Sequence, residues 1–169
     1  MENIEEVLQK IKEILIENKL SLSTAESCTG GLLSSYLTDI SGASNFIFQN
    51  FVTYSNEAKN KFLKVKNKTL EDFGAVSENT AFEMSSGLLD YADTSIATTG
   101  ILGPSGGSDE KPVGTCFISF GYKKNNEKQI KVVRFLSNKN TRTTIKKDIV
   151  ENALKMFLEF LDEQFRGSM

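Results

Sequence analysis

The chain has 169 residues, close to one domain at the usual ~150 residues per domain, and its 39% hydrophobic and 25% charged residues suit a globular fold with a proper core. It contains no histidine, which excludes Ser-His-Asp and Cys-His nucleophilic systems, HExxH zinc sites and every imidazole acid–base step. Its 20 basic and 22 acidic residues leave a net charge of −2, so there is no electrostatic footprint for nucleic acid or a membrane surface, although a local basic pocket stays open.

No apolar run approaches the roughly 18 to 20 residues of a membrane span, and Met1 to Lys10 lacks the basic and apolar regions of a secretion signal. A cytoplasmic protein is expected. Cys28 and Cys116 form neither a disulfide framework nor a CxxC motif, in keeping with a reducing compartment. Neither a metal nor a cofactor is expected, and a homodimer or other homo-oligomer stays open.

Taken in chain order, Ile4 to Ile16 repeats apolar residues at three-and-four spacing and predicts an amphipathic helix. Leu20 to Ala25 predicts a short strand. It runs into Glu26-Ser27-Cys28-Thr29-Gly30-Gly31, after which Leu32, Leu33, Tyr36, Leu37 and Ile40 are again helical. A second strand is predicted over Ile47 to Tyr54, with Ser55 as the N-cap of a helix carrying Lys59, Phe62 and Leu63. Thr69 and Asp72 resemble a capping box for a short helix ended by Gly74, and Ser77 caps a helix from Glu78 to Tyr91 with Ala81, Met84, Leu88 and Tyr91 on one face. Thr94 to Thr99 predicts a third strand, followed by a glycine-rich stretch from Gly100 to Gly107. Val113 to Tyr122 and Gln129 to Leu136 predict an antiparallel hairpin around the polar connector Lys123 to Lys128. Thr141 caps a long final helix. The expectation is one domain over 1–166 with a tail at 167–169. Its fold is a three-layer α/β/α sandwich on a mostly parallel sheet of about five strands, with one antiparallel strand from the hairpin.

In open α/β sheets ligands bind at the carboxyl ends of the strands, which is where Glu26 to Gly31, Tyr54 to Lys59 and Thr98 to Gly107 are expected to converge. The turn at Thr29-Gly30-Gly31 can hold a phosphate or oxyanion on helix N–H groups, or can simply be a tight turn in which Ser27 or Thr29 is the N-cap. Without histidine, Cys28 has no partner to deprotonate it and reads as a small buried hydrophobe. Ser27 needs only a lysine base, provided that burial or nearby positive charge lowers the amine's pKa. Lys59, one turn into a helix at a strand's carboxyl end, is the lysine placed for this; alternatively it lies along the surface beside Glu57 and Lys61. Tyr54 can relay a proton or stack on an aromatic ligand. The glycine-rich stretch fits neither a P-loop nor a dinucleotide fingerprint, and Arg142 is either a phosphate ligand or a surface charge.

Five stretches, Ser23 to Gly31, Phe51 to Lys59, Gly74 to Glu78, Thr99 to Pro104 and Lys111 to Thr115, together closely resemble the CinA C-terminal family of nicotinamide-nucleotide amidohydrolases, in its stand-alone form. Two departures are visible: Leu102 stands where the family commonly has Ala, and the stretch after Leu136 matches weakly. The resemblance implies a cytoplasmic amidase of pyridine-nucleotide recycling that converts nicotinamide mononucleotide to nicotinate mononucleotide and ammonia. It implies Ser27 as nucleophile, Lys59 as base and Tyr54 as assistant. Glu26, Cys28, Thr29, Gly30, Gly31, Thr99, Gly100, Gly103 and Arg142 are the residues expected to touch substrate. The alternative is a non-catalytic nucleotide-binding or competence-related regulatory module.

Overall fold

A computed structural model describes residues 2–166; the predicted tail at 167–169 lies outside them. Helix α1 (Ile4–Glu17) leads to β1 (Leu22–Glu26) and α2 (Leu32–Thr38), then β2 (Ile47–Val52), α3 (Asn56–Leu63), α4 (Asn67–Phe73), α5 (Glu78–Leu88) and β3 (Thr94–Gly100). Strands β4 (Thr115–Lys124) and β5 (Glu127–Leu136) and helix α6 (Arg142–Leu161) complete it. The sheet order is β2-β1-β3-β4-β5. Strands β2, β1 and β3 are parallel and β4 alone runs against its neighbours, so β5 points with the first three. This is the mostly parallel, mixed five-stranded sheet that the pattern predicts.

The two faces bury different helices. Leu8, Ile11, Leu15, Leu33, Leu37, Ile149, Leu154 and Phe157 from α1, α2 and α6 close over Leu22, Ile96, Ile118 and Phe120. On the other face Leu63, Leu70, Met84 and Leu88 from α3, α4 and α5 close over Ala25 and Ala97. Full burial of aliphatic side chains such as these is worth about 1.5–3 kcal/mol each, which places the stability of the fold in this double core.

Three local expectations are corrected. Thr69 is not a cap: it lies inside α4 and donates its hydroxyl to Glu83 Oε2 at 2.6 Å, while Glu83 Oε1 accepts the N–H of Lys66 at 2.8 Å. Helix α4 is therefore started by a carboxylate from α5. Tyr91 lies beyond α5 and is exposed, with its hydroxyl on the carbonyl of Phe62 and its ring against Phe51. The hairpin connector shrinks to Asn125-Asn126, both at positive φ (53° and 66°), the geometry of a tight two-residue turn that prolongs both strands.

Chain direction positions the functional region. Strand β1 connects onward to β2 on one side and is flanked by β3 on the other, and all three deliver their carboxyl ends to one edge. The break in strand order falls between β1 and β3, where the N–H of Ser27 donates to the carbonyl of Thr98 at 3.1 Å.

Candidate active site

A cleft of about 270 Å³ opens at this point, lined by Ser27 and Cys28 after β1, Tyr54 and Lys59 after β2, Thr99 to Gly103 at and beyond the end of β3, and Arg142 at the start of α6. The three predicted stretches thus do converge. Ala75, Val76, Ser105 and Gly106 also line it. Ser105 and Gly106 fall within the stretch expected there, whereas sequence reasoning gave Ala75 and Val76 no place in the cleft. The apolar Ala75-Val76 pair between a helix-ending glycine and a helix-capping serine was the available signal.

Lys59 is the central feature. Ser55 caps α3 by accepting the N–H of Ala58 at 3.0 Å, and this phase turns Lys59 and Leu63, four residues apart, toward the sheet. Lys59 is 1% exposed, so it is no surface lysine. Its Nζ lies 3.1 Å from Ser27 Oγ, 3.0 Å from the carbonyl of Thr53 and 3.2 Å from that of Tyr54. Burial lowers its pKa from the ordinary 10.5, with Cys28 acting in the opposite direction. A neutral amine has two N–H groups and one lone pair. Since carbonyls only accept, the two N–H groups suit Thr53 and Tyr54, and the lone pair is left facing the Ser27 hydroxyl.

The turn after β1 is built on Glu26. This carboxylate is fully buried and accepts from Thr29 Oγ1 (2.6 Å), Ser34 Oγ (2.6 Å) and the N–H groups of Gly31 (3.2 Å), Leu33 (2.7 Å) and Ser34 (2.9 Å). It occupies the N-terminus of α2, where a negative charge meets both unpaired donors and the positive end of the helix dipole. Two corrections follow. Glu26 and Thr29 lie buried beneath the turn and hold it, where contact with substrate was expected. The N–H groups of Gly30 and Gly31, expected to receive an anion, are spent on the carbonyl of Ser27 and on Glu26. Among the described residues, the amides of the turn left without a partner are those of Cys28 and Thr29. Cys28 is buried as expected, yet it also forms part of the cleft wall.

The opposite wall is tied down from several sides. Thr99 Oγ1 donates to the carbonyl of Ala75 at 2.7 Å, so its hydroxyl holds the wall together. A Cβ on Gly100 would sit 2.7 Å from the carbonyl oxygen of Thr115, so β4 can approach only a glycine there. Gly103 has φ +76°, and a Cβ would meet Val113 at 2.5 Å. Both glycines answer to packing. Arg142 donates to the carbonyl of Gly103 at 2.7 Å and to the Tyr54 hydroxyl at 3.3 Å, fastening α6 to the cleft rim. Tyr54, 61% exposed, therefore meets Lys59 through its backbone carbonyl, while its phenol meets Arg142.

A buried amine aligned on a serine hydroxyl, beside the unpartnered amide of Cys28 on the cleft wall, is an arrangement that can serve a Ser–Lys nucleophile with an oxyanion donor. The family model for the CinA C-terminal domain matches residues 4–161. The chain belongs to the CinA C-terminal domain family. A CinA-like protein of Chlorobium limicola is 45% identical over 157 residues, covering 92% of this chain and 37% of that protein. The chain spans between 28% and 37% of the first curated relatives it matches. Among solved structures, the competence/damage inducible protein CihA from Agrobacterium tumefaciens has 41% identity and a TM-score of 0.86, covering 96% of this chain and 97% of that one. A CinA superfamily protein from Escherichia coli has 37% identity and a TM-score of 0.80, covering 94% and 90%. No helix of the described residues is long and apolar enough to cross a membrane.

Proposed function

We propose that this CinA domain is an amidohydrolase that cleaves the carboxamide of nicotinamide mononucleotide by a Ser–Lys mechanism. The observation that carries the reading is the buried Lys59 amine, 3.1 Å from Ser27 Oγ and held on its other side by the Thr53 and Tyr54 carbonyls. Neutral Lys59 takes the Ser27 proton as Ser27 Oγ attacks the carboxamide carbon. The amide of Cys28, without a partner and on the cleft wall, receives the oxyanion, a role in which one donor is worth about 3–4 kcal/mol in known enzymes. Protonated Lys59 then returns its proton to the departing nitrogen, ammonia leaves, and a water molecule activated by the same amine resolves the acyl-serine. Tyr54, exposed on the cleft wall and bonded to Arg142, supplies a surface for the pyridine ring and takes no part in proton transfer.

The test is ammonia release from nicotinamide mononucleotide by the purified chain, beside Ser27→Ala and Lys59→Met. The proposal expects turnover by the wild type and a loss of at least ~1,000-fold in each variant, given what removal of a nucleophile or its base costs elsewhere. Release unchanged in Ser27→Ala, or absent from the wild type, overturns it.

A further inference from the structure

Arg142 brings a positive charge to one edge of the cleft; the buried Lys59 amine is read as neutral, and no carboxylate lines the cleft among the described residues. Lys146 lies just outside that lining. It follows Arg142 by four residues on α6, which puts both side chains on one helix face about one turn apart. Its Nζ lies 3.6 Å from the point that a Cβ on Gly30 would occupy, so it overhangs the exposed end of the turn that carries Ser27 and Cys28. Lys146 is half-buried and pairs with no carboxylate among the described residues, whereas the next residue, Lys147, meets Glu151 at 3.8 Å.

We infer that Lys146 is the phosphate-specificity residue of the cleft: together with Arg142 it receives the phosphate of a phosphomonoester ligand, over a glycine that leaves the approach open. Arg142 is held at the rim by Gly103 and Tyr54, which use part of its fork and leave further N–H groups for a phosphate oxygen. Lys146 adds a second point charge one helical turn further along α6, over Gly30. A dianion suits this pair, and a neutral ribose hydroxyl at the same place gains little from an ammonium. The inference rests on reading the cleft as a binding site for a ribosylated nicotinamide. It assigns Lys146 to binding and leaves the chemistry to Ser27 and Lys59.

The experiment is calorimetric titration of the full chain with nicotinamide mononucleotide and with nicotinamide riboside, the same amide without phosphate. Wild type, Lys146→Ala, Lys146→Arg and Lys147→Ala are compared in the Ser27→Ala background, which prevents turnover. Lys146→Ala is expected to weaken the mononucleotide ~10- to 100-fold, the scale of one charge-assisted hydrogen bond, while the riboside changes less than about twofold. Lys146→Arg restores most of the affinity, and Lys147→Ala leaves it unchanged. Equal weakening of both ligands, or undiminished binding of the mononucleotide, overturns the inference. Should neither nicotinamide compound bind, ribose 5-phosphate decides: binding that needs Lys146 upholds the phosphate site, and its absence overturns it. Mononucleotide binding without ammonia release by the wild type defeats the amidase reading and leaves the phosphate site standing.

Discussion

The protonation of Lys59 can be measured without any substrate, through stability. Burial lowers its folded pKa below 10.5, whereas the unfolded chain keeps the ordinary value. Between those two pKa values the unfolded state binds one proton more than the folded state, so stability must rise with pH across that window. It levels off above 10.5, and below the lowered folded pKa both states carry the proton and the contribution no longer changes. One proton gives a slope of at most about 1.4 kcal/mol per pH unit, large against a total stability of about 5–15 kcal/mol. Lys59→Met keeps the length of the side chain and removes the titration. It also deprives the Thr53 and Tyr54 carbonyls of a donor, at about 1–3 kcal/mol each, but that cost does not depend on pH. Urea unfolding of both proteins between pH 7 and 10, followed by circular dichroism, therefore isolates the slope as their difference. The stability of wild type relative to Lys59→Met is expected to increase with pH, and its amidase rate to rise over the start of the same window. A flat difference means that folded Lys59 keeps its proton, and a lysine protonated throughout cannot be the base.

Other consequences follow from the same contacts. Glu26→Gln turns one acceptor toward Ser34 into a donor and removes the charge facing α2, so a loss of ~3 kcal/mol is expected, seen as a Tm about 6–12 °C lower. An unchanged Tm would deny Glu26 its role in holding the turn. Tyr54→Phe is expected to keep kcat within about fivefold, because the phenol meets Arg142; a drop of ~100-fold or more would make it a proton carrier after all. Gly103→Ala meets Val113 and a strained φ together, and should cost about 1–3 kcal/mol in urea unfolding while loosening the carbonyl that anchors Arg142. Asn126→Gly creates the Asn-Gly pair favoured in such hairpins and is expected to raise the urea midpoint slightly; a marked fall would contradict the tight turn between β4 and β5.

What could be read from sequence divides by the range of the interaction. The order of strands and helices, the caps Ser55, Ser77 and Thr141, and the meeting of three strand ends follow from periodicity and from neighbours a few residues apart, and the structure has them all. The misread features depend on partners far along the chain. Helix α4 begins on Glu83 from α5, so its own Thr69 and Asp72 only resemble a cap. Tyr91 has the right spacing for the buried face of α5, but the helix stops short of it and its hydroxyl goes to Phe62. Glu26 was visible as a carboxylate beside a glycine turn, a pattern that suits a ligand contact as well as a helix cap. Only the backbone path, which points Gly31, Leu33 and Ser34 at one side chain, separates the two.

Lys59 shows how far a local pattern can carry a functional argument. Its spacing from Leu63 puts it on the inward face of α3, a position where an amine opposes the helix's own amphipathic logic. Such a conflict persists in a fold only if something satisfies the buried group, and here the chain itself does so, because β2 ends by turning the carbonyls of Thr53 and Tyr54 onto Nζ. Those two acceptors match the two N–H groups of a neutral amine, and the third neighbour, Ser27 Oγ, is a group that can donate to the lone pair. The arrangement that makes the burial tolerable is therefore the one that aims the proposed base at the proposed nucleophile, so that stability and the proposed chemistry at this site depend on the same three contacts.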